Sequence, residues 1–228
     1  MRYDLLIERW PLFAEGVWTT VQLTALSVAI GFCIALPFAI LRSRRTPVAS
    51  PLVAGYVYAI RGTPLLVQLY VFYYGLSQFD VIRDSFAWSY LREPWWCALI
   101  AFSLNSGAYA TEIIRGAIER TPKGQIEAAK ALGLRTWQVY ALIVVPSALR
   151  RAIPQYGNEV VFMMHGSAIV SVITITDILG AAREFNGRYY VSDEGFLTAA
   201  VLYGLLTLLI VLIFRALEGK FLKHLRMR

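Results

Sequence analysis

The chain has 228 residues, of which 57% are hydrophobic and 16% charged, with a mean hydropathy of +0.54. Soluble proteins average about 45–50% apolar and about 25% charged residues, so the composition argues against a soluble globule. It also excludes disorder, which needs low hydrophobicity and high net charge. The net charge of +7 then points to basic residues on the cytosolic side of a bilayer. A nucleic-acid binder needs a basic soluble face, and little soluble face is available.

Five uncharged runs are long enough to span: 16–41, 62–79, 94–111, 160–176 and 195–214. A helix crosses the hydrocarbon core in about 17–25 residues. Counted from the basic pair Arg150 and Arg151, the fourth span becomes 152–176, interrupted by Glu159. Runs 46–60 and 136–149 are shorter, carry prolines and read as interfacial or buried pieces. The first run is too long for the apolar part of a signal peptide, and Asp4, Glu8 and Glu15 precede it.

Loop charge alternates along the chain. Arg42, Arg44, Arg45 and Arg61 follow the first span without an acid, whereas the loop before Pro94 is nearly balanced. The long segment after the third span carries Arg115, Arg120, Lys123, Lys130, Arg135, Arg150 and Arg151, and the tail is basic again through Arg215, Lys220, Lys223, Arg226 and Arg228. This is the positive-inside pattern. It predicts an all-α polytopic membrane protein with five transmembrane helices, the N-terminus outside and the C-terminus cytosolic. Cys33 and Cys97 both fall within predicted spans and read as small buried side chains. No metal motif is visible.

The cytosolic loop 113–151 far exceeds the usual connection of about 2–8 residues. Thr121 is a candidate cap with Pro122 at the first helical position, leading into a short helix from Lys123 to Leu132. Gly133 suits a left-handed C-cap. Thr136 is a candidate cap for a second piece, 137–145, closed by Pro146. A two-turn helix is not stable alone and must dock on something. Alanines beside one carboxylate leave room for another protein to approach closely.

The run Glu127-Ala128-Ala129, three residues, Gly133, nine residues, then Ile143-Val144-Val145-Pro146 resembles the EAA loop of ABC importer permeases. Val145 departs from the leucine of that pattern. Arg61-Gly62-Thr63-Pro64-Leu65-Leu66-Val67-Gln68, the stretch Leu104–Glu112 and Tyr156-Gly157-Asn158-Glu159-Val160 are similar to segments of polar amino-acid permeases. The nearest likeness is to the M-type subunits of histidine, arginine, octopine and nopaline uptake systems.

The resemblance implies one permease domain over residues 1–228 with the type I ABC importer transmembrane fold. It implies a second, related Q-type permease, an ATPase dimer, a periplasmic solute-binding protein and a small amino-acid substrate, all at the lipid of a bacterial inner membrane. Glu127, Ala128, Ala129, Gly133 and Pro146 then belong to the surface that couples to the ATPase. The chain has no G-x-x-x-x-G-K-[ST] loop, so ATP and Mg fall to the partner. This chain is then a transport subunit with no catalytic residue and no cofactor of its own.

An ionisable residue inside a span is a functional candidate. Glu159 suits a cationic substrate or, alternatively, a structural partner. His165 lies six residues on, about 240° around a regular helix, and serves either a ligand or an interhelical hydrogen bond. Asn105, with Ser106 nearby, offers an amide to a substrate carboxylate or to a neighbouring helix. Thr63 sits beside Pro64, where a broken helix exposes backbone groups. Glu112 reads as a structural or gate residue. A stand-alone ion-coupled transporter or channel predicts internal repeats, and none is visible. An intramembrane enzyme predicts a motif such as H-E-x-x-H, and none occurs.

Overall fold

The computed structural model describes residues 3–222, and among these it contains helices and no strand. The helices are α1 (Tyr3–Glu8), α2 (Trp10–Ser43), α3 (Ala49–Arg61), α4 (Leu65–Tyr70), α5 (Asp80–Arg83), α6 (Trp88–Leu91), α7 (Pro94–Glu119), α8 (Lys123–Ala131), α9 (Thr136–Val139), α10 (Val145–Gly166), α11 (Ile178–Tyr189) and α12 (Ser192–Phe221). Three of them, α2, α7 and α12, are long and apolar enough to cross a membrane, and the total is five if each of two bent pairs counts as one span. Lys223, Arg226 and Arg228 of the basic tail lie outside the described residues.

The centre is the α2–α7 crossing. It is lined by small side chains, as membrane interfaces without a hydrophobic driving force require. Ala35, Ala39, Ala108 and Ala110 are fully buried. A Cβ at Gly31 would stand 2.9 Å from the Gly107 nitrogen, so only glycine allows this approach. Around the crossing, Leu23, Leu69, Phe102 and Val170 form one apolar cluster, and Phe13, Ile178 and Phe185 form another against α12.

The predicted span 62–79 is one arm of a bent element. The helix α3 and the segment Leu65–Gln78 meet at about 100°. Pro64 sets the break: it lacks an N–H, and its ψ of 138° is extended. Its carbonyl accepts from the Val67 and Gln68 nitrogens and starts the next helix.

The fourth span also differs from expectation. Helix continues from Thr136 to Ile173 through a π turn at Tyr140–Val144 and a 3-10 stretch at Ser167–Ile173. Pro146 therefore does not close a helix. It lies inside the continuous helix just after the π turn, whose shift of hydrogen-bonding register accommodates a residue without an N–H. Arg135 rather than Thr136 precedes α9, and the Arg135 nitrogen donates to Gln138 Oε1 at 2.8 Å. Thr121 does not cap α8 either. Its hydroxyl accepts from Arg151 Nη2 at 2.7 Å, and Pro122 is the residue preceding the helix.

Candidate functional site

The break at Gly62–Pro64 opens onto a cavity of about 830 Å³ lined by α3, α4, α7 and α10. Three sequence candidates meet there: Thr63, Asn105 and Glu159. Arg61, Tyr109, Gln155 and Asn158 add further polar groups. The Arg61 guanidinium lies 4.8 Å from the centre of the Tyr109 ring, a cation–π contact. Glu159 is 7% exposed, and its carboxylate has no hydrogen bond or ion pair among the described residues. A buried carboxylate in that state is costly unless water or a ligand meets it.

Gln68 organises the wall. Its amide donates to Ile60 O at 2.6 Å, Thr63 O at 3.0 Å and Thr63 Oγ1 at 2.9 Å. Its carbonyl accepts from Asn105 Nδ2 at 3.0 Å. The Thr63 hydroxyl in turn donates to Ala59 O at 2.9 Å. These bonds satisfy carbonyls that the broken helix leaves unpaired. They also tie the break to α7. Gln68 was not singled out from the sequence, although one amide in an otherwise apolar run is the signal that marks it.

Ser106 and His165 lie elsewhere. Ser106 is fully buried at the Gly31 crossing, its hydroxyl unpaired among the described residues. His165 faces α12, where Nε2 lies 3.0 Å from Thr207 Oγ1. The Thr207 hydroxyl also donates to Tyr203 O at 2.8 Å. Tyr203 donates onward to Asp177 Oδ2 at 2.7 Å, and Asp177 Oδ1 caps α11 by accepting from Gly180 N at 2.8 Å. Asp177, fully buried, is a structural carboxylate that the sequence reading missed. Its signal is an Asp immediately before a helical run.

Glu112 borders the cavity but is paired. It bonds Arg115 at 2.6 Å and Arg42 at 3.1 Å, and so links α7 to the end of α2.

The loop beyond α7 forms a second candidate surface. Gly133 has φ +81°. Leu134 N bonds Ala129 O at 3.2 Å and Gly133 N bonds Lys130 O at 2.9 Å, which is a Schellman closure. Ala129 is buried beside Val139, Val144 and Ala148. Glu127 and Ala128 are exposed, as are Leu132 and Trp137. Arg151 holds the base, donating to Ala117 O at 3.0 Å, to Thr121 Oγ1 and to Ser147 Oγ. The helix thus buries one alanine and turns its carboxylate, its other alanines and two large apolar side chains outward.

Residues 18–223 match the family model described as "Binding-protein-dependent transport system inner membrane component". The nopaline transport system permease NocM of Agrobacterium fabrum is 40% identical over 229 residues, covering 100% of this chain and 95% of its own. The histidine/lysine/arginine/ornithine permease HisM of Escherichia coli is 40% identical over 212 residues, covering 92% and 89%. An amino acid ABC transporter crystallised with histidines matches with TM-score 0.85 and 31% identity, over 96% of this chain and 99% of that one. On the extent of these matches, the chain belongs to the family of inner membrane components of binding-protein-dependent transport systems.

Proposed function

We propose that this chain forms half of the translocation pathway of an ATP-driven importer for basic amino acids or opines. The observation that carries the reading is the unpaired Glu159 carboxylate in a cavity that also presents the Asn105 amide, Arg61 and the broken helix. A zwitterion with a cationic side chain is complementary to that set. Its cation meets Glu159, and its carboxylate meets the Asn105 amide or Arg61. Thr63 shapes the break, while Ser106 and His165 hold helices together. The names of the relatives agree in chemistry. Histidine, lysine, arginine and ornithine have basic side chains, and octopine and nopaline carry the guanidinium of arginine.

The whole chain acts as one permease domain with five spans, its N-terminus outside and C-terminus cytosolic. It works in a bacterial inner membrane beside a second permease, fed by a solute-binding protein. The segment 113–151 is cytosolic. Its exposed Glu127, Ala128, Leu132 and Trp137 dock on an ATPase dimer, Gly133 sets the angle of the docking helix, and Pro146 lies just after the π turn on the rod that leads to the cavity. Uptake of labelled arginine, histidine and octopine by the complex in proteoliposomes tests this. ATP-dependent uptake is expected. Uptake by this chain without an ATPase, driven by an ion gradient, would establish the stand-alone transporter instead.

A further inference from the structure

A second cavity, of about 400 Å³, lies between α2, α7, α10 and α12, away from the polar one. Its walls are almost wholly apolar and include Phe32, Ile114, Leu149, Ile153, Phe214 and Leu217. Tyr156 closes one end. Its ring lies 5.8 Å from Phe32 and 6.5 Å from Phe214, and its hydroxyl donates to Val28 O at 3.1 Å. With that hydroxyl spent on the backbone, the closed end offers no polar group to a ligand. At the other end stand Arg150, in the lining, and Phe221, whose ring lies 5.6 Å from Lys220 Nζ. From Arg150 to Tyr156, and from Leu217 to Phe221, the helices rise about 9 Å and about 6 Å. The groove is thus a short apolar slot with a basic mouth.

Arg150 is exposed and has no hydrogen bond or ion pair among the described residues. It contrasts with its neighbour Arg151, whose two terminal nitrogens both donate to neighbouring groups. Glu218 is the acid nearest in sequence on α12 and forms no ion pair with Arg150 or Lys220 among the described residues. The mouth therefore keeps an excess of positive charge. α12 adds little cover, since almost none of its apolar window is buried.

We propose that this slot binds an acyl chain of an anionic phospholipid, with the phosphate held by Arg150 and Lys220. A free anion has no use for the apolar slot, and a zwitterionic lipid gains less at the basic mouth. The lipid bridges the end of α12 to α10 and α7. It is independent of which solute the polar cavity carries.

The test is native mass spectrometry of the assembled transporter, stripped of lipid and titrated with phosphatidylglycerol or phosphatidylcholine. Retention of phosphatidylglycerol about tenfold above phosphatidylcholine is expected for the unaltered protein, which needs no variant to fold. Arg150→Gln with Lys220→Gln should remove that preference, and Arg150→Lys should keep most of it. Ile153→Trp, which fills the slot, should lower retention of both lipids. Glycerophosphoglycerol, which lacks acyl chains, should not compete. Equal retention of the two lipids by the unaltered protein would overturn the proposal, as would full competition by glycerophosphoglycerol. Crosslinking of a cysteine at position 153 to the second permease would show that a protein fills the slot and would also overturn it.

Discussion

Gln68 and Asn105 are joined by a 3.0 Å hydrogen bond, and the same Gln68 side chain donates to Ile60 O at 2.6 Å. One amide thus uses both ends, fastening the broken helix to α7. Glutamate is isosteric, but when ionised it has no donor for the helix carbonyls. Gln68→Glu is expected to leave those carbonyls unpaired at a cost of about 1–3 kcal/mol. Uptake should fall at least tenfold while the protein still inserts, checked by transport assay beside membrane immunoblot.

Glu159→Gln keeps the size of the side chain and removes the charge. If Glu159 meets a substrate cation, uptake of arginine should drop about tenfold or more, matching a lost charge-assisted hydrogen bond of about 1.5–3 kcal/mol. Neutral polar amino acids delivered by the same system should be affected less. Equal loss for both, or normal arginine uptake, would remove the cation-pairing role.

Gly133 occupies left-handed space at φ +81°. A β-branched residue there is strained by about 1–2 kcal/mol. Gly133→Val should loosen the closure of α8 and reduce ATPase activity stimulated by the solute-binding protein, with little change in membrane insertion. Gly133→Asp should uncouple in the same way by placing a new charge at the docking surface. Gly133→Asn, which tolerates this conformation, should retain most activity.

Arg151 reaches Ala117 O and Thr121 Oγ1 with one nitrogen and Ser147 Oγ with another. Lysine has a single nitrogen and cannot span that set. Arg151→Lys is expected to weaken the attachment of the loop to α7. Hydrogen exchange should rise in residues 121–135 while the spans remain protected.

Much of this architecture is legible in the residues. Hydropathy marks the long helices, because a bilayer admits few other solutions. The α8 helix follows from its alanines and Gly133. The break at Pro64 is visible, but its 100° consequence is not, since direction depends on tertiary bonds made by Gln68. Pro146 misleads, because a π turn ahead of it absorbs the missing donor. Glu159 and Asn105 come from two separate helices and Thr63 from the break between α3 and α4, a convergence that no local spacing reveals. His165 follows helical phase instead. Six residues from Glu159, it turns to Thr207.

The helix from Thr136 to Ile173 carries both exposed Trp137 and cavity-lining Glu159 on one rod, with the π turn between them. Each residue of an α-helix advances the phase by about 100°, and a π turn inserts one residue without breaking the rod. The turn therefore works as a phase adjuster: it takes up one extra residue while the segments on either side keep nearly the relative orientation they would have in an unbroken α-helix. Inserting one residue into the regular α-helix between 147 and 157, which has no such turn, would swing the loop about 100° relative to Glu159 while leaving every span as apolar as before. Hydropathy alone is blind to such a change, yet the loop and the cavity would no longer face their own partners together.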